Sequence, residues 1–538
     1  MKPLKVAVFA DAGQVQKFAR DALDAVEGCD AVTVFSCTNT HRRKQAVRHG
    51  LYYALNLISV RNAETRGVPV GGGAKTIAET VEFESEYDGV WQRLPAEIIA
   101  RLREGGFDVI LKIGLGLLRV PPADELPVPI LSYHHGDPDH YRGRPAGFWE
   151  TADGKGVMGQ IVQVIGNKLD AGRVVAFAET KVHAHSYKAT LVEAFRHSPL
   201  IINGAIRNAI AGVSLDKPCD GRNCRLPSNL TVAKFLLRMG KKKAGRLVYG
   251  ALYEKKWQVS LAPAPSPGAA ALFEGTPFPG RDAWQTIETA SQYTFYADPF
   301  FSSHPPGLLV EALSRRTGLG EIVLIEDELH RRVSDFGGHA SYPATFGEGA
   351  GQLVIPETAS WLPATAFRSE GDRLVPAFAL DLPAGRTILD PTLVAHDGRV
   401  YLFGNLNDVG SNILYLWSAA AIDAPFALHP ASPILVSPRG GRMGGSILRD
   451  GDRLIRLGQD FEGGYGDGLR AFEIEALSET EYCERPIGYL GLDGVSGPHT
   501  LNVQGGMLLF DWYRESFSLG AGIRRFRARR ATKRALKV

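Results

Sequence analysis

The chain has 538 residues, too many for one hydrophobic core, so two or three domains are expected. Apolar residues make up 44% and charged residues 22%, which is typical of soluble globular proteins. The net charge of +3 is uneven: residues 521–538 hold eight Lys or Arg and no acid, and 61 basic residues less these eight leave 53 against 58 acidic ones. A body at −5 argues against nucleic acid as a partner, and the basic end is interpreted as a solvated tail or a weak contact for an anionic surface.

Cysteine usage indicates a reducing compartment. Five cysteines, Cys29, Cys37, Cys219, Cys224 and Cys483, are few and scattered, as in cytoplasmic proteins. Neither a transmembrane run nor a secretory signal is apparent, since the apolar run at residues 6–10 has only the length of a strand. The sequence therefore predicts a cytoplasmic protein without an integral membrane segment. No metal site is predicted, because Cys219 and Cys224 lack a second pair of ligands.

The first 135 residues alternate between apolar strands and helical segments. Strands are predicted at residues 5–10, 31–37, 107–113 and 128–134, and helices at 13–26 and 89–104. This alternation indicates an α/β domain with a Rossmann-like, doubly wound parallel sheet. The first turn, residues 11–14, lacks the glycine fingerprint of dinucleotide-binding proteins, so NAD is not expected.

A histidine and an aspartate follow two apolar strands. His134 stands at the C-terminal end of the strand at 128–134, where open α/β sheets bind ligands. A second strand at 156–164 leads to the turn Leu169-Asp170-Ala171-Gly172. An imidazole and a carboxylate in one cleft can move a proton and stabilise the charge that develops in acyl transfer, which makes both residues candidate catalytic groups. The alternative is a histidine that neighbouring groups merely satisfy.

These motifs resemble the N-terminal domain of folate-dependent formyltransferases. That family carries Asn-x-His, Arg-Gly and Leu-Asp-x-Gly; this chain has Ser132-Tyr133-His134, Arg142-Gly143 and Leu169-Asp170-Ala171-Gly172 at matching spacing. The resemblance implies 10-formyltetrahydrofolate as cofactor, with His134, Asp170 and Ser132 as catalytic residues. It also implies that the cofactor is bordered by Gly114, Leu115, Leu117, Leu118, Asn167 and Leu169. Alternatively, residues 114–118 form only a strand-to-helix turn.

The chain departs from the family pattern in two places. Ser132 replaces the family asparagine, and its hydroxyl is a single donor on a shorter arm; the loss of one oxyanion donor raises a barrier by about 3 kcal/mol. The loop at 136–139 reads Gly-Asp-Pro-Asp where the family has Ser-Leu-Leu-Pro. Together with His135 and His140, its aspartates suggest a metal, but acceptor contacts or turn chemistry are the preferred interpretation.

The second half of the chain has a different character. A helix predicted at 186–210 ends the first domain, which we place at residues 1–215, and a helical connector follows at 216–254. From residue 255 the strands are short, and a motif recurs at intervals of 44 to 54 residues. Its copies begin at Ala297, Ser341, Leu389, Met443 and Ser496. This spacing predicts a five-bladed β-propeller over residues 255–530, with a basic tail at 531–538.

The repeated half resembles the propeller-like domain at the N-terminus of glucosamine inositolphosphorylceramide transferases, through segments such as residues 296–301, 339–343 and 389–391. The resemblance implies a fold and a sugar-related context. The residues predicted to bind carbohydrate are Asp298, His339, Tyr342, Glu357, Asp390, Arg442, Gln459, Asp460 and His499. Two alternatives stay open: the Asp-Pro pairs cap turns, or axial carboxylates hydrolyse glycosidic bonds.

The sequence thus predicts an N-formyltransferase that moves a formyl group from 10-formyltetrahydrofolate to the amine of an amino sugar. The acceptor would be linked to a nucleotide or belong to a glycan precursor, and the propeller would bind carbohydrate. The alternatives are a catalytically degenerate carbohydrate-binding scaffold and a propeller glycosidase or glycosyltransferase accessory. The sequence does not indicate an oligomeric state.

Overall fold

The computed structural model describes residues 3–39, 48–266, 268–358, 362–383 and 387–526. The chain divides into two compact units, residues 1–244 and 245–538, here called unit 1 and unit 2. The predicted basic tail at 531–538 lies outside the described residues. No helix in the described part of the chain is long and apolar enough to span a bilayer.

Unit 1 is built around a nine-stranded sheet. Its long strands, from one edge to the other, are Thr76–Phe83, Ala31–Cys37, Val6–Asp11, Val109–Lys112, Ile130–His134, Val157–Val164 and Arg173–Lys181. The short strands Gln14–Gln16 and Gly67–Pro69 complete it. The first five long strands run parallel, as the alternation of strands and helices predicted. The last two pair antiparallel, because only a short connection, with a helix of five residues, precedes Val157–Val164.

Helices cover both faces of this sheet. They are Lys17–Asp24, Gly50–Leu55 continued by the π turn Asn56–Val60, Ala96–Glu104, Phe148–Ala152, Tyr187–Ile210 and Asn229–Leu252. One face of the sheet packs on Ala96–Glu104 through an apolar cluster that includes Phe9, Ile98 and Ile110. The opposite cluster joins Lys17–Asp24 and Tyr187–Ile210 through Phe18 and Phe195. Smaller pairings join Tyr141–Gly143 with Arg222–Cys224, and Trp91–Arg93 with Glu86–Asp88 and Leu117–Leu118.

Unit 2 contains five antiparallel sheets of four or five strands, here called sheets I to V. Sheet I is Tyr293–Ser303, Pro306–Ser314, Gly320–Glu326 and Leu329–Arg332, and sheet II is Ser341–Phe346, Leu353–Glu357, Thr365–Glu370 and Arg373–Ala379. Sheet III is Ile388–His396, Arg399–Leu406, Ile413–Ala419, Ala427–Leu428 and Leu435–Val436. Sheet IV is Arg439–Met443, Leu448–Asp450, Arg453–Asp460, Leu469–Leu477 and Tyr482–Leu490. Sheet V is Leu501–Gln504, Met507–Phe517, Tyr253–Pro263 and Gln285–Thr286, so it joins strands from both ends of the unit. The 3-10 turns are Ala269–Phe273, Arg281–Ala283 and Gly349–Gly351.

Every copy of the repeated motif contains a residue with a positive φ, which is 43–47° in the first three copies and 126–127° in the last two. It is the second residue of the motif, or in sheet IV the third: Asp298, Tyr342, Asp390, Gly445 and Gly497. In sheets I, II and III the strand register shifts at this point, which is the mark of a β-bulge. The bulge bends the first strand of each of these sheets and aims the residues that follow it.

Contacts at or beside these bulges link sheet I to sheet II, sheet II to sheet III, and sheet V to sheets I and IV. The Phe300 ring packs on Tyr342, with centroids 4.9 Å apart, and links sheets I and II. The Tyr342 hydroxyl lies 2.9 Å from Thr392 Oγ1 and links sheets II and III. Asn502 Nδ2 donates to Pro299 O at 2.7 Å, and Asn502 Oδ1 accepts from Ser446 N at 2.8 Å. Sheet V therefore contacts both sheet I and sheet IV.

Candidate functional site

The structure of unit 1 brings His134 and Asp170 together. His134 ends a parallel strand, and its Nδ1 lies 3.4 Å from Asp170 Oδ2. Gly143 N donates to the same oxygen at 2.8 Å, and Asp170 itself has a φ of 44°. The two side chains are 9% and 17% exposed, so a ligand at the sheet edge can reach them while most of the pair stays dry. A partly desolvated imidazole–carboxylate pair is suited to proton transfer.

Both ring nitrogens of His134 are engaged. Nε2 lies 3.1 Å from Tyr141 O, an arrangement that requires a proton on Nε2, and Nδ1 faces Asp170. The segment that follows His134, together with Asp170, therefore holds the imidazole ring in one orientation. Neither nitrogen points an uncommitted N–H at a ligand.

Ser132 lies on the same face of the sheet as His134, two residues earlier on the strand. In the neighbouring parallel strand its register partner is Lys112, whose side chain shares that face. Lys112 Nζ donates to Leu115 O at 3.2 Å. Burial lowers the pKa of Lys112 to about 8, although Asp11 and Asp170 oppose that shift. Sequence reasoning missed this residue; the available signal was a lysine in the otherwise apolar strand Val109–Lys112.

The residues predicted to border the cofactor fall into two groups. Leu115 and Leu118 are 8% and 3% exposed and belong to the apolar cluster of the sheet, so their side chains face the core. Asn167 joins two loops, because its side chain accepts from Val120 N at 2.9 Å and donates to Val120 O at 3.2 Å. Leu117 and Leu169 are half-buried.

Gly114 is needed where it stands, since a Cβ there would lie 2.6 Å from the backbone carbon of Ala10. This close approach lets the segment that follows the strand Val109–Lys112 cross the end of the strand Val6–Asp11.

Two aspartates of the loop after His134 form salt bridges with one lysine. Lys217 Nζ lies 3.1 Å from Asp137 Oδ1 and 3.0 Å from Asp139 Oδ2. His135 points to the other face of the sheet and packs on Phe18, with ring centroids 5.1 Å apart. Burial lowers the pKa of His135 to about 3, so it is neutral. An ammonium fills the position that a metal would take, and the aspartates act as loop-forming residues.

A small cavity lies behind His134. Its volume is about 10 Å³, room for one water, and Glu150 and Cys224 help to line it. Glu150 is 3% exposed, and burial raises its pKa to about 8. A pteridine does not fit this space, so a folate would lie against the open edge of the sheet.

In unit 2, Asp390 is the centre of a buried ionic network. Arg442 donates to both of its oxygens, with Nη2 at 3.0 Å from Oδ1, and Gln459 Nε2 donates to Oδ2 at 2.9 Å. Glu357 Oε2 accepts from Asp390 N at 3.0 Å and from Arg442 Nη2 at 3.3 Å. Burial would raise the pKa of Asp390, but Arg442 outweighs it and lowers that pKa, whereas burial and Asp390 hold the pKa of Glu357 well above its usual range.

His499 is the centre of a second network. Its Nε2 lies 3.3 Å from Asp298 Oδ1, and its Nδ1 lies 2.5 Å from Asp511 Oδ2 as a close charge pair that lacks hydrogen-bond alignment. Thr500 Oγ1 donates to Asp298 Oδ1 at 2.7 Å. Burial lowers the pKa of His499, but Asp511 and Asp298 outweigh burial and raise it to about 9.

The trio Asp298, His499 and Asp511 could geometrically hold a metal ion, since their ligand atoms lie within 4.8 Å of one another. A charged imidazolium is not a ligand, however, and Asp511 also accepts from three backbone N–H groups. The trio is therefore interpreted as an ion-pair network that joins sheets I and V.

Three other residues predicted to bind carbohydrate have polar partners of their own. Tyr342 is 0% exposed and its hydroxyl bonds to Gly445 and Thr392, so its side chain is not available to a ligand. Asp460 points away from Asp390 and pairs with Arg470 at 2.6 Å. His339 Nδ1 accepts from Gly320 N at 2.8 Å.

Two further groups escaped the sequence analysis. Burial and Asp298 hold the pKa of Glu311 well above its usual range, and Glu311 lies beside the His499 network. Tyr465 is 44% exposed and its ring lies 5.5 Å from that of His499. A partly exposed aromatic ring beside buried charges is suited to stacking on a sugar, and no motif of the repeat marked it.

Three comparisons with known proteins bear on different parts of the chain. The family described as glucosamine inositolphosphorylceramide transferase 1, N-terminal, matches residues 333–496. The proteins of that name from Oryza sativa subsp. japonica and Arabidopsis thaliana are 32% identical over 114 residues and 29% identical over 158 residues, or 20% and 27% of this chain. The matches span only 15% and 20% of those relatives.

Among solved structures, an N-formyltransferase from Helicobacter canadensis aligns over 44% of this chain and 80% of its own, at 10% identity and a TM-score of 0.26. A phosphoribosylglycinamide formyltransferase from Anaplasma phagocytophilum aligns over 39% of this chain and 89% of its own, at 18% identity and a TM-score of 0.25. In sequence, residues 333–496 are similar to the N-terminal part of glucosamine inositolphosphorylceramide transferases.

Proposed function

We propose that the chain is a transferase that acts on sugars, and that unit 1 moves a formyl group from 10-formyltetrahydrofolate to the amine of an amino sugar. The sugar would be linked to a nucleotide or belong to a glycan precursor, in the cytoplasm. The observation that carries the proposal is the His134–Asp170 pair, 3.4 Å apart at the C-terminal edge of a parallel sheet, where such sheets bind ligands.

The residues at this edge fit a folate formyl donor in chemical type. Leu117 and Leu169 are half-buried and offer apolar surface, and Asn167 lies next to them on the joined loops. The donor, when bound, supplies the formyl group. Asp170 takes the proton that the acceptor amine releases, and Gly143 N keeps its carboxylate in place. Tyr141 O orients His134 so that its Nδ1 faces Asp170.

We further propose that sheets I to V are the blades of a five-bladed β-propeller that binds carbohydrate. The bulge repeated in sheets I, II and III and the contacts of sheet V with both sheet I and sheet IV support this arrangement. Arg442 is 16% exposed; burial lowers the pKa of its guanidinium, but Asp390 and Glu357 outweigh burial and raise that pKa, and Tyr465 contributes in the same direction. An aromatic ring beside a guanidinium offers stacking and hydrogen bonds to a sugar.

The test of formyl transfer is an assay with 10-formyltetrahydrofolate and a panel of nucleotide-linked amino sugars, read by mass spectrometry of the products. His134→Ala is expected to lower the rate at least about a hundredfold, as loss of an acid–base group does. His140→Ala, an exposed histidine six residues away, is the matched control. A His134→Ala protein that formylates as fast as the parent would contradict the proposal.

A carbohydrate-binding scaffold is the second candidate function, favoured by two observations. Both nitrogens of His134 are engaged, and the cavity beside it holds about one water. In that case no amino sugar is formylated, while a glycan array still shows binding. Tyr465→Ala should then weaken binding about tenfold, and Tyr489→Ala, on another exposed tyrosine of sheet IV, should not.

A further inference from the structure

Lys112 occupies an unusual place for a lysine. It ends the strand Val109–Lys112, between the strands that carry Asp11 and His134, and shares their face of the sheet. Its register partner is Ser132. The ammonium is therefore carried to the edge where the His134–Asp170 pair lies, by strand geometry rather than by a loop.

Few hydrogen-bond donors are available to a ligand at this edge. His134 commits Nε2 to Tyr141 O and Nδ1 to Asp170, and Ser132 has one hydroxyl on a short side chain. An ammonium has three N–H donors, and within the described residues Lys112 makes one hydrogen bond, to Leu115 O at 3.2 Å. Among these three side chains, Lys112 has donors left for a ligand.

The charge of Lys112 is balanced by its neighbours. Asp11 and Asp170 both attract the ammonium, and Asp11 Oδ1 is fixed by Leu115 N at 2.8 Å. A half-buried cation held between fixed carboxylates stabilises negative charge that develops beside it more strongly than one in water does. Charge of that kind develops on a carbonyl oxygen during acyl transfer.

We propose that Lys112 is a catalytic residue whose ammonium donates a hydrogen bond to the oxyanion of formyl transfer, in place of an amide at position 132. The acceptor nitrogen bonds to the formyl carbon, and the bond from that carbon to the leaving nitrogen breaks. The amine gives one proton to Asp170, and Asp170 passes that proton to the leaving nitrogen, so the carboxylate is restored. Between these events the formyl oxygen carries the negative charge, and Lys112 keeps its proton throughout.

This inference rests on the proposed formyl transfer, so the experiment needs a reaction without the sugar. Hydrolysis of 10-formyltetrahydrofolate passes through the same oxyanion with water as acceptor. Lys112→Met is expected to lower kcat about 100- to 1,000-fold in both reactions, with KM changed less than about threefold. Lys155→Met, on an exposed lysine, is the matched control.

Two further variants separate a catalytic role from a structural one. The parent is expected to lose rate above about pH 8, and because Lys112→Arg stays charged at high pH, this loss should move to higher pH in that variant. Adding Ser132→Asn to Lys112→Met should raise kcat at least tenfold above that of Lys112→Met alone. A parent-like kcat for Lys112→Met, or an unchanged alkaline limb for Lys112→Arg, overturns the proposal.

The two proposals can fail separately. Hydrolysis that depends on Lys112 without formylation of any amino sugar would refute the acceptor and keep the role of Lys112. If the parent catalyses neither reaction, calorimetry of 5-formyltetrahydrofolate binding near pH 8 decides. Proton uptake on binding by the parent, absent in Lys112→Met, supports an ammonium at the formyl oxygen. If the parent binds without taking up a proton, or does not bind, the proposal is overturned.

Discussion

Asp511→Asn is expected to destabilise unit 2 strongly. Asp511 is 0% exposed, and every group around its carboxylate is a donor: the backbone N–H groups of Asp298, His499 and Thr500 at 2.9–3.0 Å, and the His499 ring. An amide turned either way must face its NH₂ group toward one pair of donors. The substitution keeps the volume and removes both the charge and one set of contacts.

The expected cost is about 3–5 kcal/mol, because a buried cation loses its partner along with charge-assisted hydrogen bonds. The same pair predicts a pH dependence. His499 has a pKa of about 9 when folded, against its ordinary 6.5. Its contribution is complete below pH 6.5 and is lost as the pH rises through 9, on the order of 2–3 kcal/mol.

Urea unfolding at pH 6.5 and 9, followed by hydrogen exchange of peptides from residues 507–517, measures both effects within unit 2. Asp397→Asn is the control, since that side chain is 84% exposed and also has a positive φ. The Asp511→Asn protein should lose most of the difference between the two pH values. The reasoning would be refuted by a free energy of unfolding within about 0.5 kcal/mol of the control, or by a pH dependence equal to that of the parent.

Three further changes test other parts of the structure. The raised pKa of Glu150 favours the folded state only at low pH, so the free energy of unfolding should fall between pH 4.5 and 8. Glu150→Gln should reduce this fall and stabilise the protein at pH 7. Urea midpoints at pH 5 and 8 measure both effects. Arg456→Met should cost about 3–5 kcal/mol by leaving Glu484 unpaired, and adding Glu484→Gln should recover at least half in thermal melts. Gly445→Ala should lower the melting temperature well beyond Gly451→Ala, since both have positive φ but only the first Cβ meets backbone.

The local sequence was sufficient to predict four of the five parallel strands of unit 1, though not Thr76–Phe83, and the approach of His134 to Asp170. Apolar runs identify buried strands, and a short Asp-Ala-Gly turn restricts where the carboxylate points. The strand Val157–Val164 was predicted, but its antiparallel direction was not, because pairing direction depends on how the chain returns after His134. Lys112 was missed for a related reason: its position beside Ser132 depends on the register between two strands.

In unit 2 the periodicity of the repeat identified the bulges but not which side chains stay accessible. Tyr342 and Asp390 occupy equivalent bulges, yet both are fully buried, and their partners come from other sheets. Asp511 belongs to no repeat motif and meets Asp298 across 213 positions of chain. Such contacts depend on how whole sheets pack, which a single sequence does not specify.

Tyr253–Pro263 pairs with Met507–Phe517 along all 11 residues, and this pairing fixes the order in which parts of unit 2 can form during synthesis. During synthesis the first of these strands leaves the ribosome some 250 residues before its partner exists. Until then it presents an unpaired edge that invites association with other chains. Sheets I to IV can assemble in that interval, but sheet V cannot, and the contact of Asp511 with Asp298 that joins it to sheet I comes last.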